Sequence, residues 1–124
     1  MNLSKHMNDG LKRSLRVLRA VKVTACSDDI WIIGTYLNGR ENGLRIHVYN
    51  GDWKNTRSFV IAENRNSDSM VLYSGQFEDF DYAAIPNEAV YKNAQYFASE
   101  KELVAVLTKA ITQALKTKST KRAA

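Results

Sequence analysis

The chain is poor in the residues that cross-link, kink or bind metals. Its 124 residues include one cysteine, Cys26, and one proline, Pro86. A lone cysteine excludes an internal disulfide and a zinc site built from thiolates, and it fits a reducing compartment. Near the start of an apolar run, Cys26 reads as packing. Histidine is nearly as scarce: His6 and His47 lie far apart, outside any ligand-spaced cluster, so neither a metal nor a cofactor is expected. Gly34, Gly39, Gly43 and Gly51 are spread over turns and a strand, not gathered before a helix, which leaves no phosphate-cradling loop. No apolar run approaches the roughly 18–20 residues needed to cross a bilayer. Asn8, Asp9, Lys12 and Arg13 interrupt the first apolar residues, so no signal-peptide core is read there. An intracellular, cytoplasmic protein without membrane association is expected.

What the chain does contain is ordinary in amount and uneven in placement. Apolar residues make up 44% and charged residues 25%, which suits one globular domain over 1–124. The net charge is +5, and it is segregated. Residues 1–25 hold Lys5, Lys12, Arg13, Arg16, Arg19 and Lys22 against Asp9 alone, and residues 109–124 hold Lys109, Lys116, Lys118, Lys121 and Arg122 with no acid. The middle of the chain is acidic. Segregated basic charge points to an anionic partner more than scattered lysines do.

Ile30–Leu37 organises the rest. Alternation puts Ile30, Ile32 and Tyr36 on one side and Trp31, Ile33 and Leu37 on the other, so both faces are largely apolar. That pattern predicts an interior strand covered on two sides. Before it, Leu11, Leu15 and Leu18 at i, i+4 and i+7 predict a helix over about Gly10–Lys22, with Val21–Ala25 readable as a short strand. At 100° per residue, Lys12, Arg13, Arg16 and Arg19 share the opposite arc. No acid at i+3 or i+4 relieves these four charges within the helix.

After the turn Asn38–Gly43, the strand Leu44–Tyr49 alternates, with Leu44, Ile46 and Val48 inward and Arg45, His47 and Tyr49 outward. On that outward side His47 is expected to be solvated or hydrogen-bonded. Further strands are predicted at Arg57–Glu63 and Met70–Ser74, and the short connections favour an antiparallel meander. Gly75–Asn87 is read as an irregular surface loop pinned by Phe77 and Phe80. A helical turn follows within Asn87–Tyr96, supported by the Glu88–Lys92 pair at i, i+4. Ser99 with Glu102 forms a capping-box signature, and Leu103, Leu107, Ala110, Ile111 and Ala114 carry a C-terminal helix from about residue 100 to 116. The basic tail after it is expected to fray. The fold class is therefore α+β, a mainly antiparallel meander of four or five strands packed by an N-terminal and a C-terminal helix.

One catalytic pattern is present. Asp52, followed by Glu63-Asn64-Arg65 after the apolar run Phe59–Ala62, loosely resembles the PD-(D/E)xK nucleases. That resemblance implies Asp52 and Glu63 as ligands of a Mg²⁺ that positions water for phosphodiester hydrolysis. Arg65 stands where the family has lysine, and Asn50-Gly51 precedes Asp52 in place of a proline. Arginine cannot shift its proton as that lysine does.

The leading expectation is a non-enzymatic binding protein. It would contact DNA or RNA phosphates through Lys12, Arg13, Arg16 and Arg19 and the tail Lys116, Lys118, Lys121 and Arg122. Arg45, His47 and Tyr49 would add a hydrogen-bonding and stacking stripe for single strands. The alternative is a protein-binding adaptor or inhibitor, of the compact sort viruses and mobile elements encode. It would act through the acidic, aromatic loop Phe77, Glu78, Asp79, Phe80, Asp81 and Tyr82. The nuclease ranks third.

Overall fold

Alternating apolar residues in the central strands and a 3.6-residue apolar stripe in the terminal segments build a sheet with helices on one side. The structure, a computed structural model, describes residues 2–21, 30–38, 41–49, 51–64, 69–80 and 85–123. Within these it describes the side chains of 11–21, 41–49, 51–54, 56–64, 69–80 and 85–115. The elements run α1 (Asn2–Ala20), β1 (Ile30–Asn38), β2 (Glu41–Val48), β3 (Arg57–Asn64), β4 (Ser69–Gln76), α2 (Glu88–Lys92), β5 (Gln95–Phe97) and α3 (Glu100–Ala123). Short 3-10 turns occur at Trp53–Asn55 and Phe77–Asp79. The five strands form one antiparallel meander in the order β1-β2-β3-β4-β5. The α+β class and meander read from the sequence are the observed ones.

Both helices pack on the same sheet face. Leu44, Ile46 and Val48 of β2, Phe59 and Ile61 of β3, and Met70 and Leu72 of β4 meet Leu103, Leu107, Ile111 and Leu115 of α3. Val17 of α1 is buried in that core, with Leu11, Leu15 and Leu18 packed against it. The capping bond is present: the Glu102 amide donates to Ser99 Oγ at 3.2 Å. The helix is packed through Leu115, and its backbone stays helical on to Ala123. In α2, Asn87 caps Val90 N and Lys92 meets Glu88 at 3.3 Å.

Several elements differ from expectation. α1 begins at Asn2, eight residues before the predicted start. Val21 follows the helix, and the proposed strand beyond it falls in 22–29, outside the described residues. β2 and β4 are longer than predicted, and Gln95–Phe97 is a fifth strand where a helical turn was expected to continue. β2 tolerates Gly43 because β3 approaches so closely: a Cβ there would run into the Ile61 carbonyl.

The main correction concerns β1. Among the described residues it pairs with β2 alone and stands at the end of the strand order, not inside it. In a meander the first strand occupies an edge unless a later strand returns beside it, and here the chain continues the other way. The register also shifts between Ile32 and Gly34. Ile30 and Ile32 pair with Val48 and Ile46, whereas Thr35 and Leu37 pair with Leu44 and Asn42. One extra residue thus breaks the two-residue period of β1 between Ile32 and Gly34. The strict alternation read from the sequence missed this slip.

Candidate nucleic-acid interface and the covered sheet face

The basic arc of α1 is divided between structure and surface. Arg13 is largely enclosed, its side chain 13% exposed. Its Nη1 donates to Glu63 Oε2 on β3 at 2.9 Å, and its Nε to Glu100 Oε2 of α3 at 3.1 Å. Arg16 holds the same Glu100 with two bonds, Nε to Oε1 at 2.8 Å and Nη2 to Oε2 at 2.9 Å. The Arg16 hydrogen bond is the largest influence holding the Glu100 carboxyl below its ordinary range, with Arg13 adding to it. Two of the four charges expected to repel one another within α1, those of Arg13 and Arg16, are therefore relieved from outside the helix, by Glu63 and Glu100. Lys12 and Arg19 remain exposed, and no ion pair engages them among the described residues.

The other basic cluster lies on α3. Lys109 is exposed, and positions 116, 118, 121 and 122 sit on helical backbone, their side chains outside those described. The arginine knot at Glu100 marks the acidic N-terminal end of α3. At 1.5 Å per residue, Lys116 to Arg122 stand about 24–33 Å further along the helix. The two basic groups thus share the helical layer without meeting at Arg13 and Arg16. Counted by layer, α1 carries five bases and one acid and α3 six bases and two acids. The helical side has a surplus of eight positive charges, and the rest of the chain is net negative.

The opposite face of the sheet was expected to present Arg45, His47 and Tyr49 to solvent. It is covered. Phe77 and Phe80 lie over the Arg45 guanidinium, 5.2 and 5.5 Å from their ring centroids, and Arg45 Nη2 donates to the Phe77 carbonyl at 3.4 Å. Arg45 is 8% exposed and serves as a stacked brace, not as a phosphate contact. His47 is fully buried. Its ring meets Trp53 and Phe77 at 5.6 and 5.3 Å, its Nδ1 is 2.6 Å from Ser58 Oγ, and its Nε2 has no hydrogen-bond partner among the described residues. Tyr49 is half-buried and stacks on Trp53 at 4.7 Å. The cover forms because Thr56 Oγ1 bonds the Asp52 carbonyl, Asp52 caps Lys54 N, and Phe77 N bonds the Thr56 carbonyl. These bonds bring the two 3-10 turns together.

This packing also decides the acidic loop. Phe80 is buried and Phe77 half-buried, as the pinned-loop reading had it. Asp79 accepts from Gln76 N at 2.7 Å and from Asn87 Nδ2 at 3.2 Å, leaving Glu78 exposed. Asp81 and Tyr82 lie outside the described residues. The nuclease-like acids do not converge either. Asp52 precedes the start of β3 and Glu63 lies near its end, with roughly 20 Å of strand between them at about 3.3 Å per residue. Among the described residues no group of three His, Cys, Asp or Glu is placed to hold a metal ion. No described helix is long and apolar enough to cross a membrane.

Trp53, Thr56 and Ser58, which help build the covered face, were not singled out in the sequence. The available signal was the apolar character of both faces of β3, with Phe59 and Ile61 on one and Val60 and Ala62 on the other.

Burial, with the nearby Arg45 cation second, lowers the His47 pKa from 6.5 to about 4. The folded state therefore binds fewer protons than the unfolded chain between these values. Stability from neutral His47 is present above pH 6.5 and is lost as pH falls toward 4. Urea midpoints at pH 7 and pH 4.5 should drop less for His47→Gln than for wild type; equal drops would remove His47 as the cause. Comparison with known proteins finds no match: no family model, no curated protein and no solved structure matches this chain.

Proposed function

We propose that this protein is a small, non-enzymatic, intracellular nucleic-acid-binding protein that contacts phosphates with its helical layer. The observation that carries the reading is the charge difference between the two sides of the sheet. The two terminal helices hold a surplus of eight cations, while the elements and turns of the other side carry Asp52, Glu78, Asp79 and Glu88 against Lys54 and Lys92. Phosphate binding needs clustered cations and counterion release, not a particular spacing or a catalytic group. The contacts are assigned to Lys12 and Arg19 of α1 and to Lys109, Lys116, Lys118, Lys121 and Arg122 of α3. Arg13 and Arg16 drop out as principal contacts because Glu63 and Glu100 already neutralise them. Arg45 and Tyr49 drop out because they are packed against aromatic rings. The acidic loop is a weaker basis for a protein-binding adaptor, since Phe77 and Phe80, its natural anchors, are spent on Arg45.

Fluorescence anisotropy with single-stranded and duplex oligonucleotides tests the reading. Affinity should fall steeply between 50 and 200 mM salt. The combined Lys12→Glu, Arg19→Glu variant should weaken binding and reduce the slope of log K against log salt by about one to two units. Wild type that fails to bind at low salt, or a variant that binds equally well, would refute it.

A further inference from the structure

The two edges of the sheet are built differently. β5 is three residues long and pairs only with Met70–Leu72 of β4, while α2 packs over the sheet face beside it, so the regular edge on that side is short. β1 is nine residues long, and on its outer side no strand pairs with it among the described residues. Long edge strands are normally protected by charge, proline or a cover, because unpaired N–H and C=O groups recruit another strand. Ile30–Asn38 reads Ile-Trp-Ile-Ile-Gly-Thr-Tyr-Leu-Asn, without a charged residue or a proline. The single irregularity between Ile32 and Gly34 still leaves the regular five-residue stretch Gly34–Asn38.

The geometry points to β1 as a self-association edge, on which β1 of a second copy of this chain pairs antiparallel to make a continuous ten-stranded sheet. A second copy is the fitting occupant because of the charge pattern. In an isologous antiparallel pair, residues near the two-fold axis meet their own counterparts, so a charged residue there would oppose itself. In a chain with 31 Lys, Arg, Asp and Glu residues, β1 has none. The axis runs perpendicular to the sheet, so the helices of both copies lie on one face. The pairing does not depend on nucleic-acid binding, although it would double the cationic layer.

Sedimentation equilibrium of the full chain from 1 to 200 µM, at moderate salt and without nucleic acid, tests the proposal. The mass should rise with concentration from 14.0 kDa toward twice that value. Alternate N–H groups of an edge strand point toward β2 and toward the open side. Of Thr35→Pro and Tyr36→Pro, one therefore loses a bond to β2 and the other only an outer donor. The variant that keeps the wild-type circular dichroism and unfolding midpoint should remain monomeric at 200 µM. Hydrogen exchange on wild type gives a reading that needs no variant: β1 amides should become protected as concentration rises, and β5 amides should not. A monomer throughout the range overturns the proposal. So does a dimer whose β1 exchange is independent of concentration, or a folded proline pair that both still dimerise.

Discussion

Leu107→Ala is expected to lower stability by about 2–5 kcal/mol. Leu107 is fully buried at the middle of the α3 stripe, between Leu103 and Ile111 and against the sheet. Truncation removes apolar contact and leaves a cavity between a helix and a sheet, neither of which closes over it freely. The urea midpoint measures the effect, with the exposed Lys109→Ala as a control expected to change it little. An unchanged midpoint for Leu107→Ala would mean that α3 does not dock on the sheet.

Arg13→Glu is the other large effect, about 3 kcal/mol by the cost of breaking an enclosed ion pair. The guanidinium lies between Glu63 and Glu100, and it joins α1 to β3 and to α3 at once. Reversal would place a third carboxylate beside two that then lack this partner. Arg16→Glu should do much less, because Arg16 is 63% exposed and water screens the change. The two urea curves should therefore separate clearly at pH 7. Because Glu100 titrates below its ordinary range, the knot's contribution is present above pH 4.5 and is lost as pH falls through the folded value. If both variants unfold at the same midpoint, Arg13 is not the enclosed brace described. This expectation also explains why Lys12 and Arg19, not Arg13 and Arg16, are the informative positions for nucleic-acid binding: their reversal changes surface charge without opening the fold.

Local signals are legible where neighbours in sequence supply both partners. Ser99 with Glu102, and Glu88 with Lys92, are three and four residues apart and formed as their spacing indicated. The inward set of β2, Leu44, Ile46 and Val48, followed from alternation alone. Partners distant in sequence left no comparable mark. Arg13 and Glu63 are 50 residues apart and Arg16 and Glu100 are 84 apart. Nothing in the spacing of the α1 cations distinguishes a brace from a solvated face. Arg45, His47 and Tyr49 alternate as a solvent-facing stripe would, until Trp53, Phe77 and Phe80 close over them from elements outside β2.

By itself the sequence determined the α+β class, the meander, the two amphipathic terminal helices and the placement of basic charge at the ends of the chain. Each of these is set by periodicity, short turns or composition, which act over a few residues. Only the tertiary structure decided that both helices share one sheet face, turning charge separated along the chain into charge separated by layer. It also decided that β1 pairs with β2 alone among the described residues, that its register shifts between Ile32 and Gly34, and that half of the basic arc is neutralised. The reason is common to all of these: edge position, face and ion pairing depend on which distant segments become neighbours, and the side-chain period of a single segment carries no record of them.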